Sequence, residues 1–195
     1  MAVLDERAGP LLALLYATPG DPRAASRFVR ALCSAISSDV RALGLARATA
    51  DPSGMLVAFS PDGWRAEVVV DLAVPTASGE PSIEGLPVGA VFEIPGGDAH
   101  FGESPLFKNL LEPFGVQPGP GLGMVQARDE ARVTLALLLL PADPSWAPSP
   151  HDRELLESLA PHLLQSLRLH TRLTDASAGA DALVPPSTIS RSGWS

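Results

Sequence analysis

Leu122-Gly-Met-Val-Gln-Ala-Arg-Asp-Glu-Ala-Arg-Val-Thr-Leu-Ala-Leu-Leu-Leu-Leu140 is the stretch that decides the fold. Two runs suited to strands flank the tight polar turn Arg128-Asp129-Glu130, so Leu122 to Ala127 must pair antiparallel with Ala131 to Leu140. In the second run Val133, Leu135, Leu137 and Leu139 share one face at the two-residue period of a strand. The opposite face becomes apolar only at Leu138 and Leu140. This pattern predicts a central strand with one face fully buried and the other partly covered by a helix.

Working outward toward the N-terminus, further strands appear. Met55 to Ser60 and Trp64 to Val74 flank Pro61-Asp62-Gly63, a strong hairpin signal. Ala66, Val68, Val70, Leu72 and Val74 fall on one face of the second of these, with Glu67 and Asp71 on the other. Val88 to Ile94 forms a third strand, stopped by Pro95-Gly96-Gly97. Ser104-Pro105 opens a short helix to about Phe114, and Gly115 to Gly121 is a turn. Nearer the start, Pro10 to Ala17 is a short apolar helix. Asp21-Pro22 then combines a capping acid with a first-turn proline and opens a helix expected to run to about Leu43. Phe28, Leu32, Ile36, Val40 and Leu43 form its inner face, while Arg23, Arg27, Arg30, Ser34 and Arg41 point largely outward. The fold class is therefore α+β: an antiparallel sheet of about five strands, flanked by helices and covered mainly on one face.

Beyond Leu140 the chain passes through Pro141 to Pro150, a stiff exit loop with four prolines. It then enters a long amphipathic helix. Ser149 suits the N-cap, Pro150 the first helical position, and Asp152 the acidic member of a capping box. Leu156, Leu159, Leu163, Leu167 and Leu173 recur at three- and four-residue steps, widened by Leu155 and Leu164. Pro161 removes a backbone bond to Glu157 and predicts a kink, with the first half docked on its own domain and the second half available to a partner. The leucine stripe supplies the dimer or partner interface candidates: Leu156, Leu159, Leu163, Leu167 and Leu173. The organisation expected is a domain over 1–148, a connecting helix over 149–174, and a flexible Ser/Ala/Gly/Pro-rich tail over 175–195.

Composition narrows the function classes. In 195 residues, hydrophobic types make up 46% and charged types 18%, which suits one globular domain with appendages. A net charge of -8 argues against a generic nucleic-acid binder, and Lys108 is the only lysine. Cys33 is the only cysteine, so no intramolecular disulfide can form. The N-terminus carries acids where a signal peptide would be basic, and the apolar run Val133 to Leu140 is too short to span a bilayer. A soluble, cytoplasmic protein is expected.

Chemistry-bearing motifs are few. His162 and His170 lie about two helical turns apart, too far to chelate one ion directly, and with His100 and His151 they read as ordinary histidines. Gly119-Pro-Gly-Leu-Gly123 precedes a strand and lacks a following Lys-Ser/Thr, so it reads as a plain turn. Cys33 reads as a small core hydrophobe on its helix. No nucleophile elbow or marked carboxylate pair is present. The expectation is a non-enzymatic protein with no metal and no cofactor. Trp64, Phe92, Phe101 and Phe107 are the candidates to line an apolar ligand pocket, with ordinary core packing as the alternative.

Three segments carry a family resemblance. Leu11-Leu-Ala-Leu-Leu-Tyr-Ala with its following turn, and Leu106-Phe-Lys-Asn-Leu-Leu-Glu-Pro-Phe-Gly115, resemble segments of bacterial LuxR-type regulators. The closest likeness is Asp152-Arg-Glu-Leu-Leu-Glu-Ser-Leu-Ala-Pro-His-Leu-Leu-Gln-Ser-Leu-Arg-Leu-His. The resemblance implies an N-terminal PAS/GAF-like sensory domain joined by this helix to a helix-turn-helix domain of about 60 residues. The residues after Leu173 build no recognition helix, so no direct DNA binding by this chain is expected. Two readings follow. One is a sensory module that signals through the terminal helix to a homodimer mate or a regulator chain. The other is a ligand-free structural dimerisation or interaction domain.

Overall fold

The computed structural model describes residues 6–19, 21–47, 55–63, 65–69, 85–94, 102–103, 107–129 and 132–182. Helix α1 (Ala8–Tyr16) leads into α2 (Pro22–Ile36). The Asp21 carboxylate caps α2 by accepting the Arg23 backbone N–H at 2.9 Å, and Pro22 occupies the first turn, as the sequence marks.

Helix α2 does not reach Leu43. It stops at Ile36, Ser37 turns extended, and its N–H donates to the Cys33 carbonyl at 2.8 Å. The Ser37 hydroxyl accepts the Asp39 N–H at 3.1 Å, so the Ser-Ser-Asp side chains take over the backbone groups that would have continued the helix. Strand β1 (Val40–Arg47) begins at once. Val40 and Ala42 are buried and Arg41 between them is exposed, the alternation of a strand.

Strands β2 (Met55–Phe59), β3 (Arg65–Val69), β4 (Val91–Ile94), β5 (Gly121–Asp129) and β6 (Arg132–Pro141) complete the sheet. It has six strands, one more than expected, in the order β3-β2-β1-β6-β5-β4, with every neighbouring pair antiparallel. The Pro61-Asp62-Gly63 turn joins β2 to β3. Gly63 has φ 84° and donates its N–H to the Ser60 carbonyl at 3.1 Å. The part of the expected second strand beyond Val69 lies outside the described residues.

Strand β6 pairs with β1 on one side and with β5 on the other, so it lies near the middle of the sheet, as its apolar run requires. Its facing differs from the simple alternation. Val125 opposes Ala136, Ala127 opposes Leu135 and Arg128 opposes Val133, leaving Gln126 and Thr134 as extra residues in their strands. These bulges rotate Val133 onto the face of Ala136, Leu138 and Leu140, away from Leu137 and Leu139.

Both faces of the sheet are consequently buried. On one, Val40, Ala42, Leu122, Met124, Leu137 and Leu139 meet Leu11, Leu15, Phe28 and Leu32 of the first two helices and the leucines of α3 (Pro150–Ala182). On the other, Leu43, Phe92, Val125, Leu138 and Leu140 lie under a short π-helical segment, Phe107–Leu111, and a 3-10 turn, Glu112–Phe114. This second cover occupies the place of the short helix expected to end at Phe114. Full burial of each of these leucines contributes about 1.5–3 kcal/mol relative to exposure.

Two glycines shape the sheet. Gly44 opposes Phe59, and a Cβ there would fall 2.1 Å from the phenyl ring. Gly123 opposes Phe92 in the same way, with 2.2 Å to the ring. In each pair the aromatic ring lies flat over the bare strand of its neighbour.

Candidate functional site

The terminal helix is anchored at its start by the predicted capping box. The Ser149 hydroxyl accepts the Asp152 N–H at 3.2 Å, and the Asp152 carboxylate accepts the Ser149 N–H at 3.0 Å and the Ser149 hydroxyl at 2.7 Å. Asp152 is 7% exposed, and burying it requires a cation. Arg7 supplies one, with Nη1 at 3.6 Å from Asp152 Oδ1. The same guanidinium donates to the Ala35 carbonyl at 3.0 Å and to the His151 carbonyl at 3.1 Å. One side chain thus joins the approach to α1, the end of α2 and the start of α3, satisfying one carbonyl at the C-terminal end of α2. Nothing in the local pattern around Arg7 signals this role, because its partners lie 28 and 144 residues away.

A second fastening holds the middle of α3. The Tyr16 hydroxyl lies 2.6 Å from His162 Nδ1 and donates to the Gln165 side-chain oxygen at 3.4 Å, with the Tyr16 and His162 rings edge-on at 5.8 Å. Beside it the Thr18 and Ser166 hydroxyls meet at 2.7 Å, and Ser166 also donates to the Leu15 carbonyl at 3.2 Å. His162 therefore bonds across to α1, and His170, two turns on, is exposed. His100 lies outside the described residues. Among the described residues no three His, Cys, Asp or Glu side chains come together to hold a metal.

The five stripe leucines have different fates. Leu156, Leu159 and Leu163 are buried against α1, α2 and the sheet, so they are consumed within the chain and present no surface to a partner. Leu167 is half-buried. Leu173 is 49% exposed, and Leu169, off the predicted stripe, is 36% exposed. The change falls at Ser166, beyond Pro161, because the Thr18–Ser166 contact carries the docked part past the proline. Helix α3 runs through Pro161, which is exposed together with Glu157, so water can serve the carbonyl that the proline leaves unbonded. It continues to Ala182, through residues expected to be a linker, since the alanines there favour helix.

Of the four aromatic pocket candidates, Phe92 on β4 and Phe107 at the start of the π-helical segment are both buried in the same core cluster. Trp64 and Phe101 lie outside the described residues. Gly121 and Gly123 belong to β5 itself, where Gly123 receives the Phe92 ring. Cys33 is half-buried; its desolvation pushes the thiol up from the ordinary cysteine range, partly offset by the Ala42 N–H at the sulfur and the nearby Arg41 charge. Among the described residues no helix is long and apolar enough to cross a membrane.

No family model matches this chain, and no curated protein matches it. Among solved structures, the chromophore-binding domain of an unusual bacteriophytochrome from R. palustris is similar at 14% identity and a TM-score of 0.47. The alignment covers 85% of this chain and 61% of that one, so this chain spans about three-fifths of its length.

Proposed function

We propose that this chain is a non-enzymatic, cytoplasmic regulatory module, similar to the PAS/GAF-like sensory half of a LuxR-type regulator, which acts through α3 on a second chain. The observation that carries the reading is the change in α3 at Ser166. Before it the helix is buried; after it the backbone continues as helix to Ala182, about 24 Å at a rise of 1.5 Å per residue. Leu169, Leu173 and Ala176 are exposed there at steps of four and three, the spacing of a two-helix seam. An isolated helix of this length is marginal in water, so a partner helix packed on the exposed Leu169 and Leu173 would stabilise it. The favoured partner is a second copy of the chain, forming a homodimer, with a regulator chain as the other candidate. No direct DNA contact by this chain is proposed.

The experiment is sedimentation equilibrium of the full chain and of a Leu169→Asp, Leu173→Asp double variant. The wild type is expected to associate with rising concentration and the variant to stay monomeric with an unchanged fold by circular dichroism. A wild type that remains monomeric at the highest attainable concentration sinks the homodimer.

One observation favours the second reading, a structural dimerisation domain that binds no small molecule in its interior. Phe92 and Phe107 are both buried in the core cluster on that face of the sheet, as ordinary core packing expects. Thermal shifts across a metabolite panel separate the two, since a ligand that binds only the folded chain raises the melting temperature by an amount that grows with the logarithm of its concentration above Kd.

A further inference from the structure

Strand β1 is longer than its neighbour. β2 pairs with it only from Gly44 to Arg47, because the chain leaves the sheet after Phe59 and turns at Pro61. Val40 to Leu43 are paired with β6 on one side and, among the described residues, with no strand on the other. The notch left beside them is an open cleft of ≈ 650 Å³, walled by the last turns of α2, the β2–β3 turn and the Pro113–Phe114 corner. That volume accommodates a small organic molecule.

The side chains around the notch divide by chemistry. Leu43, Pro113 and Phe114 line one part. Arg30 and Arg41 line another. Arg30 is neutralised by Asp62 across the cleft, its Nη2 lying 2.5 Å and its Nε 3.1 Å from Asp62 Oδ1. Arg41 is not neutralised. Its guanidinium reaches the carbonyl of its neighbour Val40 at 3.4 Å, and among the described residues it has no carboxylate within ion-pair distance. Asp39 is nearby in sequence, where its carboxylate accepts from the Ser37 and Ser38 hydroxyls at 3.4 and 3.3 Å and makes no ion pair with Arg41. In a chain of net charge -8, the cleft thus offers one planar cation with its fork of donors uncommitted, next to an apolar wall.

We infer that this cleft binds a small monocarboxylate with an apolar body, the carboxylate held by Arg41 and the body lying against Leu43 and Phe114. A single negative charge matches the single uncommitted guanidinium. A phosphate dianion would leave one charge uncompensated in a cleft that also holds Asp62. The inference stands apart from the reading of α3, since none of these residues belongs to that helix.

Cys33 lines the same cleft and is the only cysteine in the chain, so its alkylation reports occupancy directly. The test measures maleimide labelling of Cys33 and the melting temperature of the full chain, with millimolar phenylacetate or hexanoate against the matched amides phenylacetamide and hexanamide. The acids are expected to slow labelling about fivefold or more and to raise the melting temperature, and the amides to do neither. In Arg41→Gln, an exposed substitution, the affinity inferred from protection should fall about tenfold, the scale of a lost charge-assisted pair, while the unliganded melting temperature stays the same. The ratio of rates with and without acid is the quantity to read, because removing Arg41 also alters the bare thiol rate. Equal effects of acid and amide, or no effect of either acid on both readouts, overturn the inference. A larger effect from phenyl phosphate overturns the single-charge assignment.

Discussion

The two parts of α3 both carry recurring leucines and are opposite in environment. From Pro150 to Ser166 the helix has a capping box, an arginine from the chain start, a hydroxyl pair and four wholly or nearly wholly buried leucines. From Leu167 onward its described side chains are half-buried or exposed, although leucines recur there too. The difference teaches that a leucine stripe does not say what it packs against. What assigns the first part to the domain is a set of polar contacts at each end of it, and these come from α1 and the residues around it.

The comparison can be broken most sharply with leucine truncations. Leu159→Ala is expected to cost about 3 kcal/mol, by lost transfer energy and a residual cavity, whereas Leu173→Ala should change the stability of the isolated chain by less than about 0.5 kcal/mol. Urea unfolding of both variants at low protein concentration checks this, and equal losses would end the distinction. Next in size is Asp152→Ala, which removes the cap and leaves Arg7 without its carboxylate; a loss of about 2 kcal/mol is expected in the same assay. Ser166→Ala should cost about 1 kcal/mol through the Thr18 hydroxyl and the Leu15 carbonyl. If it proves neutral, the boundary between the two parts moves back toward Pro161. Tyr16→Phe is the mildest, about 0.5 kcal/mol, since its bonds to His162 and Gln165 are exposed. Hydrogen exchange should show that loss as faster opening of amides around 162–170, with those near Leu156 unchanged.

The helix starts were legible because their signals are local. Ser149 with Asp152, Asp21 with Pro22, and the Pro61-Asp62-Gly63 turn each specify their geometry within three or four residues. Strand β1 was not legible, because Phe28, Leu32, Ile36 and Val40 keep a helical spacing straight across the Ser37-Ser38-Asp39 break. Two readings of Val40 fitted, and tertiary pairing with β6 decided between them. The facing of Val133 depends on extra residues in two strands at once, which neither strand shows alone. Of the candidate site, the amphipathic helix was legible, but not where its docked part ends, since Thr18 and Ser166 are 148 residues apart. The cleft beside β1 was hidden for a related reason: it exists because one strand outlasts another.

The phenylalanine–glycine pairs have a consequence for how the sheet finds its alignment. Each ring needs a partner strand with no side chain beneath it, and the neighbours of Gly44 and Gly123 are Leu43, Leu45, Leu122 and Met124. Sliding β2 or β4 by one residue would turn the ring to the other face, and sliding by two would drive it onto Ala42 or Ala46 in β1, or in β5 onto Val125 or onto Gly121, where the Leu139 carbonyl and the Leu140 side chain already fill the space. The β1–β2 and β4–β5 pairs therefore each accept one alignment, and β2 and β4 are in effect keyed to their neighbours by a ring and a missing side chain.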